Sequence, residues 1–291
     1  MAVPPPVLFS PPGQDTAVAA FVRGLRKIHA PVFRGIDKVP QQGPRLFVAN
    51  HSLYAVLDFP HLFYELYQQR GVFLRSLGHS AHFRLPAWRA LMHRYGAVEA
   101  SRENCAALFA AGQPVMVFPG GGREAAKQKG EAYKLIWKDR VGFARMAIRH
   151  GATIIPVGCY GAEHAWTIVQ DGPELLGGPV GPLLQAISAP FGIQADEIPP
   201  LAVGIGPTPL PRPVRLYFSV GDPIETRHLQ GQEGDHAVAW ALRRQVAASI
   251  EAQLRLLAEV RATDPHAGFR QRLRAGLSRR IRAGARAGPR G

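Results

Sequence analysis

The sequence predicts an α/β fold, a single domain with a largely parallel central sheet flanked by helices. Two observations carry this. Short apolar runs alternate with helical stretches from residue 45 to residue 157, the pattern of strands joined by helical crossovers. The chain has 291 residues and is 46% hydrophobic, enough to bury one substantial core.

Taken in order, residues 1–14 form a Pro-rich leader, followed by a domain over 15–262 and a basic, disordered tail over 263–291 that is expected to leave the core. Asp15 to Ala30 reads as an amphipathic helix, with Asp15 as N-cap and Val18, Phe21, Leu25 and Ile28 on one face. Arg23, Arg26 and Lys27 rim that face, which suits either a core-covering helix or one lying on a membrane interface. Strands are expected at Arg45–Ala49, Val72–Ser76, Val115–Phe118, Thr153–Val157 and Val214–Val220. Helices are expected near Leu53–Gln69, Pro86–Arg94, Glu103–Ala110 and Gly142–His150. Residues 172–213 are rich in Pro and Gly and read as an irregular, lid-like insertion. A long helix from about Asp235 to Val260 carries Val238, Leu242, Val246, Ile250, Leu254 and Leu257 at helical spacing, a core face.

Composition excludes several classes. Two cysteines, Cys105 and Cys159, are too few for a disulfide framework and fit a reducing compartment as buried thiols. The eleven histidines show no ligand spacing, so no catalytic metal is expected. No secretory signal is visible at the start of the chain. The longest uncharged stretch, Leu175–Ala195, holds Pro179, Pro182, Pro190 and four glycines, which would interrupt a spanning helix. The net charge is +14, and eight arginines without any acidic residue lie between Ala267 and Gly291. Such a tail is attracted to anionic lipid headgroups or to nucleic-acid phosphates. No aromatic interleaving accompanies it, which argues against a dedicated nucleic-acid reader. A cytoplasmic protein held peripherally on the inner membrane face is the expectation; the sequence carries no signal of oligomeric state.

Three stretches hold residues of the kind that do chemistry. Asn50-His51 through Asp58 begins where the strand RLFVA ends, the edge at which open α/β sheets place their sites. A histidine near a carboxylate makes a general base, and direct contact here requires His51 in a loop that curls back onto Asp58. Phe118-Pro119-Gly120-Gly121-Gly122-Arg123-Glu124 runs from a strand into three glycines, whose backbone can approach a ligand or anion, although a tight turn fits equally. Gly78-His79-Ser80-Ala81-His82 is a distorted Gly-x-Ser-x-Gly elbow, with Asp222 and His228 or His236 as possible partners for Ser80 in a serine esterase.

The blocks taken together resemble the glycerolipid acyltransferase superfamily over about residues 45–165. Asn50-His51 through Asp58 is similar to its His-to-Asp block, Gly96 through Arg102 to its second, Phe118 through Glu124 to its third, and Ile155-Pro156-Val157-Gly158 to its fourth. Two departures stand out. Six residues rather than four separate His51 from Asp58, and Gly120 stands where the usual Phe-Pro-Glu-Gly-Thr-Arg block has glutamate. With the following Lys127-Gln-Lys-Gly130-Glu131-Ala-Tyr133-Lys134, these features look closer to the diacylglycerol acyltransferase-like branch that includes phytyl ester synthases.

The resemblance implies a glycerol-3-phosphate acyltransferase-like fold and an O-acyltransferase. It would move a fatty acyl group from acyl-CoA, or an acyl carrier protein, to a lipid hydroxyl such as that of diacylglycerol, with no cofactor beyond the acyl-CoA co-substrate. His51 is then the general base and Asp58 its orienting carboxylate. Phe118, Pro119, Gly120, Gly121 and Gly122 line the substrate, with Gly120–Gly122 N–H groups facing the oxyanion. Arg102 and Arg123 contact phosphate or carbonyl groups, and Glu124 holds Arg123 or lies at the surface. The alternatives are a lysophosphatidic acid acyltransferase, the Ser80 esterase, and a non-enzymatic basic protein that binds membranes or nucleic acid.

Overall fold

The computed structural model describes residues 16–275 of the chain. The leader 1–14, the Asp15 cap, the side chain of Val18 and the tail beyond 275 lie outside the described residues.

The chain opens with helix α1 (Thr16–His29) and strand β1 (Val32–Arg34), then β2 (Arg45–Ala49), α2 (Phe59–Arg70), β3 (Arg75–Gly78) and α3 (Pro86–Arg94). Next come β4 (Val98–Glu99), α4 (Arg102–Ala110), β5 (Val115–Val117), the short α5 (Gly121–Ala125), α6 (Gly142–His150) and β6 (Thr153–Tyr160). The remainder is β7 (Thr167–Gln170), α7 (Gly172–Gly177), α8 (Gly181–Ser188), β8 (Leu201–Val203), β9 (Tyr217–Val220) and the long α9 (His236–Thr263). Seven strands form one sheet in the order β1-β9-β6-β2-β5-β3-β4, parallel throughout except where β9 runs against β6.

The sheet is covered on both faces, as a parallel sheet requires. In β2, Phe47 and Ala49 enter one core with Leu62 and Leu66 of α2, whereas Leu46 and Val48 enter the other with α4, α6 and α9. Leu242, Val246, Ile250, Leu254 and Leu257 of α9 are buried, so that helix presents a core face as expected. Its start is fixed by Asp235, whose carboxylate accepts the Ala237 and Val238 N–H groups.

The structure revises several expectations. In α1 the buried side chains are Val22 and His29, while Phe21 and Ile28 are exposed. The packed stripe is therefore rotated from the expected one, because Arg26 turns inward to pair with Glu65 at 2.6 Å and to cover the Phe33 and Tyr64 rings. The helix expected from Leu53 begins only at Phe59, since Pro60 favours the first helical turn and Asp58 caps it. Residues 172–213 are more ordered than expected: Pro173 and Pro182 open α7 and α8, and β8 pairs with β7. The described part of the segment expected to leave the core at 263, residues 264–275, stays on it, because Arg272 donates to the carbonyls of Ile28, Pro213, His266 and Ala267.

Candidate active site

His51 lies just past β2, at the carboxyl edge of the sheet. The preceding residue fixes the exit from the strand. Buried Asn50 donates from Nδ2 to the Cys159 carbonyl at 2.9 Å and accepts the Cys159 N–H on Oδ1 at 2.8 Å. This clamps β2 to β6 at the point where the chain turns into the site.

Between His51 and Asp58 the chain makes a 3-10 turn over Leu53–Ala55. Tyr54 (φ 61°) and Ala55 (φ 54°) both occupy the left-handed region, a strained conformation for residues with a side chain. Tyr54 is held there by its hydroxyl, which donates to the Pro200 carbonyl at 2.8 Å, and by edge contact with Trp166. The longer loop thus leans on the insertion.

Asp58 is buried and accepts the Ser52 N–H on Oδ2 at 3.2 Å and the Phe59 N–H on Oδ1 at 2.9 Å. The loop curls back as expected, but the bond that closes it runs to the Ser52 backbone rather than to the His51 ring. His51 Nδ1 is buried without a hydrogen-bond partner. Burial holds the His51 imidazole below its ordinary value of 6.5; the Asp58 carboxylate opposes that shift, and Lys127 and His82 add to it. The result is a neutral ring beside a carboxylate that would stabilise its protonated form.

The third block is folded against the first. The Phe118 ring stacks on His51, with centroids 4.0 Å apart and planes 9° from parallel. Pro119 and Gly120 present their carbonyls to Arg140 at 3.0 and 2.8 Å. Gly120 has a steric reason: a Cβ built there would sit 1.9 Å from Glu124 Oε2. The Glu124 side chain, one helical turn on, therefore occupies the space that a side chain at 120 would need. Glu124 is fully buried, accepts from Trp137 Nε1 at 3.1 Å, and has its carboxyl pushed up to about 7 by burial against the opposing pull of Lys127. It neither lies at the surface nor holds Arg123, which instead pairs with Glu131 at 2.6 Å and faces Asp196 at 4.0 Å. The Gly121 N–H donates to the Phe118 carbonyl at 2.9 Å, and Glu197 of the insertion packs over Gly122.

Lys127, given no role by the sequence, completes the cluster. Its Nζ donates to the His51 carbonyl at 2.6 Å and to Glu163 Oε1 at 2.7 Å, with side chains 1% and 6% exposed. Thirty-six positions separate Lys127 from Glu163, so no spacing rule reveals the pair. Arg102 opens α4 as an exposed residue. Gly96 is structural: in the left-handed region (φ 80°), it packs under Phe73 and the buried Arg75.

The other nucleophile candidates lack the required surroundings. Ser80 begins a 3-10 turn beyond β3, at the carboxyl edge. Asp222 follows the antiparallel β9, lies toward the opposite edge of the sheet, and pairs with Lys38 at 2.8 Å. Cys105 and Cys159 are buried free thiols, with Cys105 pushed up to about 12 by burial. Among the described residues no group of three or more His, Cys, Asp or Glu is placed to hold a metal ion.

The chain is similar to known proteins over the segment that holds these residues. The model of the family described as Acyltransferase matches residues 31–160, which run from β1 to the end of β6 and include His51, Asp58, Glu124 and Lys127. The chain is 29% identical over 254 residues to phytyl ester synthase 2, chloroplastic, of Arabidopsis thaliana, covering 81% of this chain and 35% of the relative. It is 30% identical over 129 residues to the DGAT1/2-independent enzyme synthesizing storage lipids of Bos taurus, covering 44% and 38%. Alignment with the solved 1-acyl-sn-glycerophosphate (LPA) acyltransferase PlsC of Thermotoga maritima gives a TM-score of 0.46 at 14% identity, covering 84% of this chain and 83% of that one. The chain spans about a third of the length of the plant relatives it matches.

Proposed function

We propose that this protein is an O-acyltransferase that moves a fatty acyl group from a thioester, acyl-CoA, to the hydroxyl of a neutral lipid such as diacylglycerol. The observation that carries the proposal is the His51 imidazole, kept neutral by burial at the carboxyl edge of β2 with the Asp58 carboxylate beside it. In this reading His51 takes the acceptor's hydroxyl proton. The acceptor oxygen attacks the thioester carbonyl, and the thiolate leaves carrying the C–S electron pair. The Asp58 charge favours the imidazolium as it forms, while its bond to Ser52 sets the loop. Hydrogen bonds of this kind commonly tighten only once substrate is bound, which accommodates the unpartnered Nδ1. Gly121 has its N–H committed to Phe118, so oxyanion contact falls to Gly120 and Gly122. Phe118 positions the His51 ring by stacking. Arg102 is the exposed cation left for a phosphate on the donor, since Arg123 is paired with carboxylates.

Lipid acceptors reside in bilayers, and the reading includes peripheral attachment to an anionic membrane surface on the cytoplasmic side. Among the described residues no helix is long and apolar enough to cross a membrane. The arginine-rich end of the chain supplies long-range attraction. The test is thiol release from palmitoyl-CoA in detergent, with and without diacylglycerol. Release that depends on the acceptor and disappears in His51→Ala supports the reading. Release without acceptor that survives His51→Ala overturns it in favour of a thioesterase.

A further inference from the structure

Two helices of this domain bury almost nothing. No residue of α3 is buried, and in α8 only Gly181 is. Both nevertheless carry large apolar side chains. Leu85, Trp88 and Leu91 recur every third residue through the α3 region and are 53%, 42% and 37% exposed. Val180, Leu183 and Ile187 follow the i, i+3, i+7 stripe of α8 and are 48%, 62% and 57% exposed. Monomeric soluble proteins seldom leave such stripes uncovered without a use for them.

The start of α3 and the end of α8 are joined. Arg84, just before α3, donates to the Pro190 carbonyl just after α8, and lies 3.7 Å from where a Cβ on Gly192 would sit. Their charge is one-sided: residues 79–94 contain Arg84, Arg89 and Arg94, all exposed, and no carboxylate, while residues 175–195 contain no charge at all. Helix α3 also reaches toward the site. Trp88 Nε1 donates to His82 Nδ1 at 3.2 Å, and His82 is close enough to disfavour a charge on His51.

We infer that α3 and α8 together form the face by which this enzyme sits on an anionic lipid surface, with Trp88 at the headgroup level and Leu183 and Ile187 among the acyl chains. A lipid bilayer is the occupant because the face combines exposed aliphatic side chains, an amphipathic tryptophan and arginines without any carboxylate. A protein partner of ordinary mixed charge would find nothing here to pair with its own cations. The location fits the chemistry: a lipid hydroxyl and an acyl chain reach His51 from the bilayer without crossing water. Helix α1, which exposes Phe21 and Ile28 among its described side chains and has its Arg26 paired inward, offers less.

This inference rests on the membrane attachment proposed above and names the face that makes it. The test uses the full chain with phosphatidylcholine–phosphatidylglycerol vesicles whose acyl chains carry bromine, reading tryptophan emission. Trp137 and Trp166 are buried and Trp240 is half-buried on α9, so the difference between wild type and Trp88→Phe isolates the signal of interest. Quenching in the wild type that is absent in Trp88→Phe is expected, as is a loss of about tenfold or more in vesicle affinity for Leu183→Glu/Ile187→Glu. The glutamates replace exposed side chains, and an unchanged melting temperature confirms that the fold is kept. Binding without Trp88 quenching, or full binding by the double variant, overturns the face and leaves attachment to the basic tail. Absence of binding overturns both. Concentration-dependent dimerisation that shields Trp88 without vesicles assigns the face to a second copy and overturns the proposal. Acyl transfer is read by the separate thiol assay, so its failure is distinguishable.

Discussion

Two regions meet at the carboxyl edge of the sheet and are built on opposite principles. Around His51, polar and charged groups are taken out of water and largely matched: Lys127 with Glu163, Asp58 with backbone N–H groups, and one Glu124 oxygen with Trp137. On α3 and α8, apolar groups are left in water and unmatched. The first arrangement is costly unless every partner is present. The second is costly only if no surface covers it. The site should therefore be intolerant of single changes and the α3–α8 face tolerant of them in stability.

The largest expected break is His51→Ala, which should lower acceptor-dependent transfer by about 10²–10⁴-fold, the usual range for a general base. Next, Lys127→Ala leaves the Glu163 carboxylate buried without its cation and the His51 carbonyl without its donor. It should cost about 3–5 kcal/mol in urea unfolding, whereas Leu183→Glu should cost less than about 0.5 kcal/mol. Acid sharpens the contrast. His51 and His61 are held below 6.5 by burial, His61 at about 3. Between those lowered values and 6.5 the unfolded chain binds more protons than the folded one, so stability should fall as pH drops from 6.5, by about 1.4 kcal/mol per unit of pKa difference. His61→Leu should flatten that fall, read as urea midpoint against pH. Gly120→Ala, whose methyl collides with Glu124, should cost about 1–3 kcal/mol. Glu124→Ala in the same chain should recover part of it, a coupling that a double-mutant cycle measures.

The sequence made the long or strongly patterned parts legible. Helix α3 has the expected bounds, Pro86–Arg94, and α9 has its core stripe and its Asp235 cap. Strands β1 and β4, of three and two residues, are too short to show a period and are defined by pairing with β9 and β3. Strand β3 lies three residues later than the apolar run Val72–Ser76 suggests, because Val72 and Leu74 are buried ahead of the paired segment. Within the site, His51, Asp58 and Glu124 were visible as residue types in order. Their contacts were not: a bond from Ser52 to Asp58, a lysine reaching 36 positions to Glu163, and a glutamate filling the space above Gly120 are tertiary facts. Pro182 was legible as a breaker, and it acts here as a helix starter for α8.

The central claim is that burial within this matched cluster keeps His51 neutral and ready to accept a proton. The most direct measurement is a histidine-selective NMR titration of the full chain, with His51→Ala assigning the resonance. The account predicts that His51 is neutral at pH 6.5 and gains its proton only well below that value. A His51 ring already half protonated at pH 6.5 or above would contradict it.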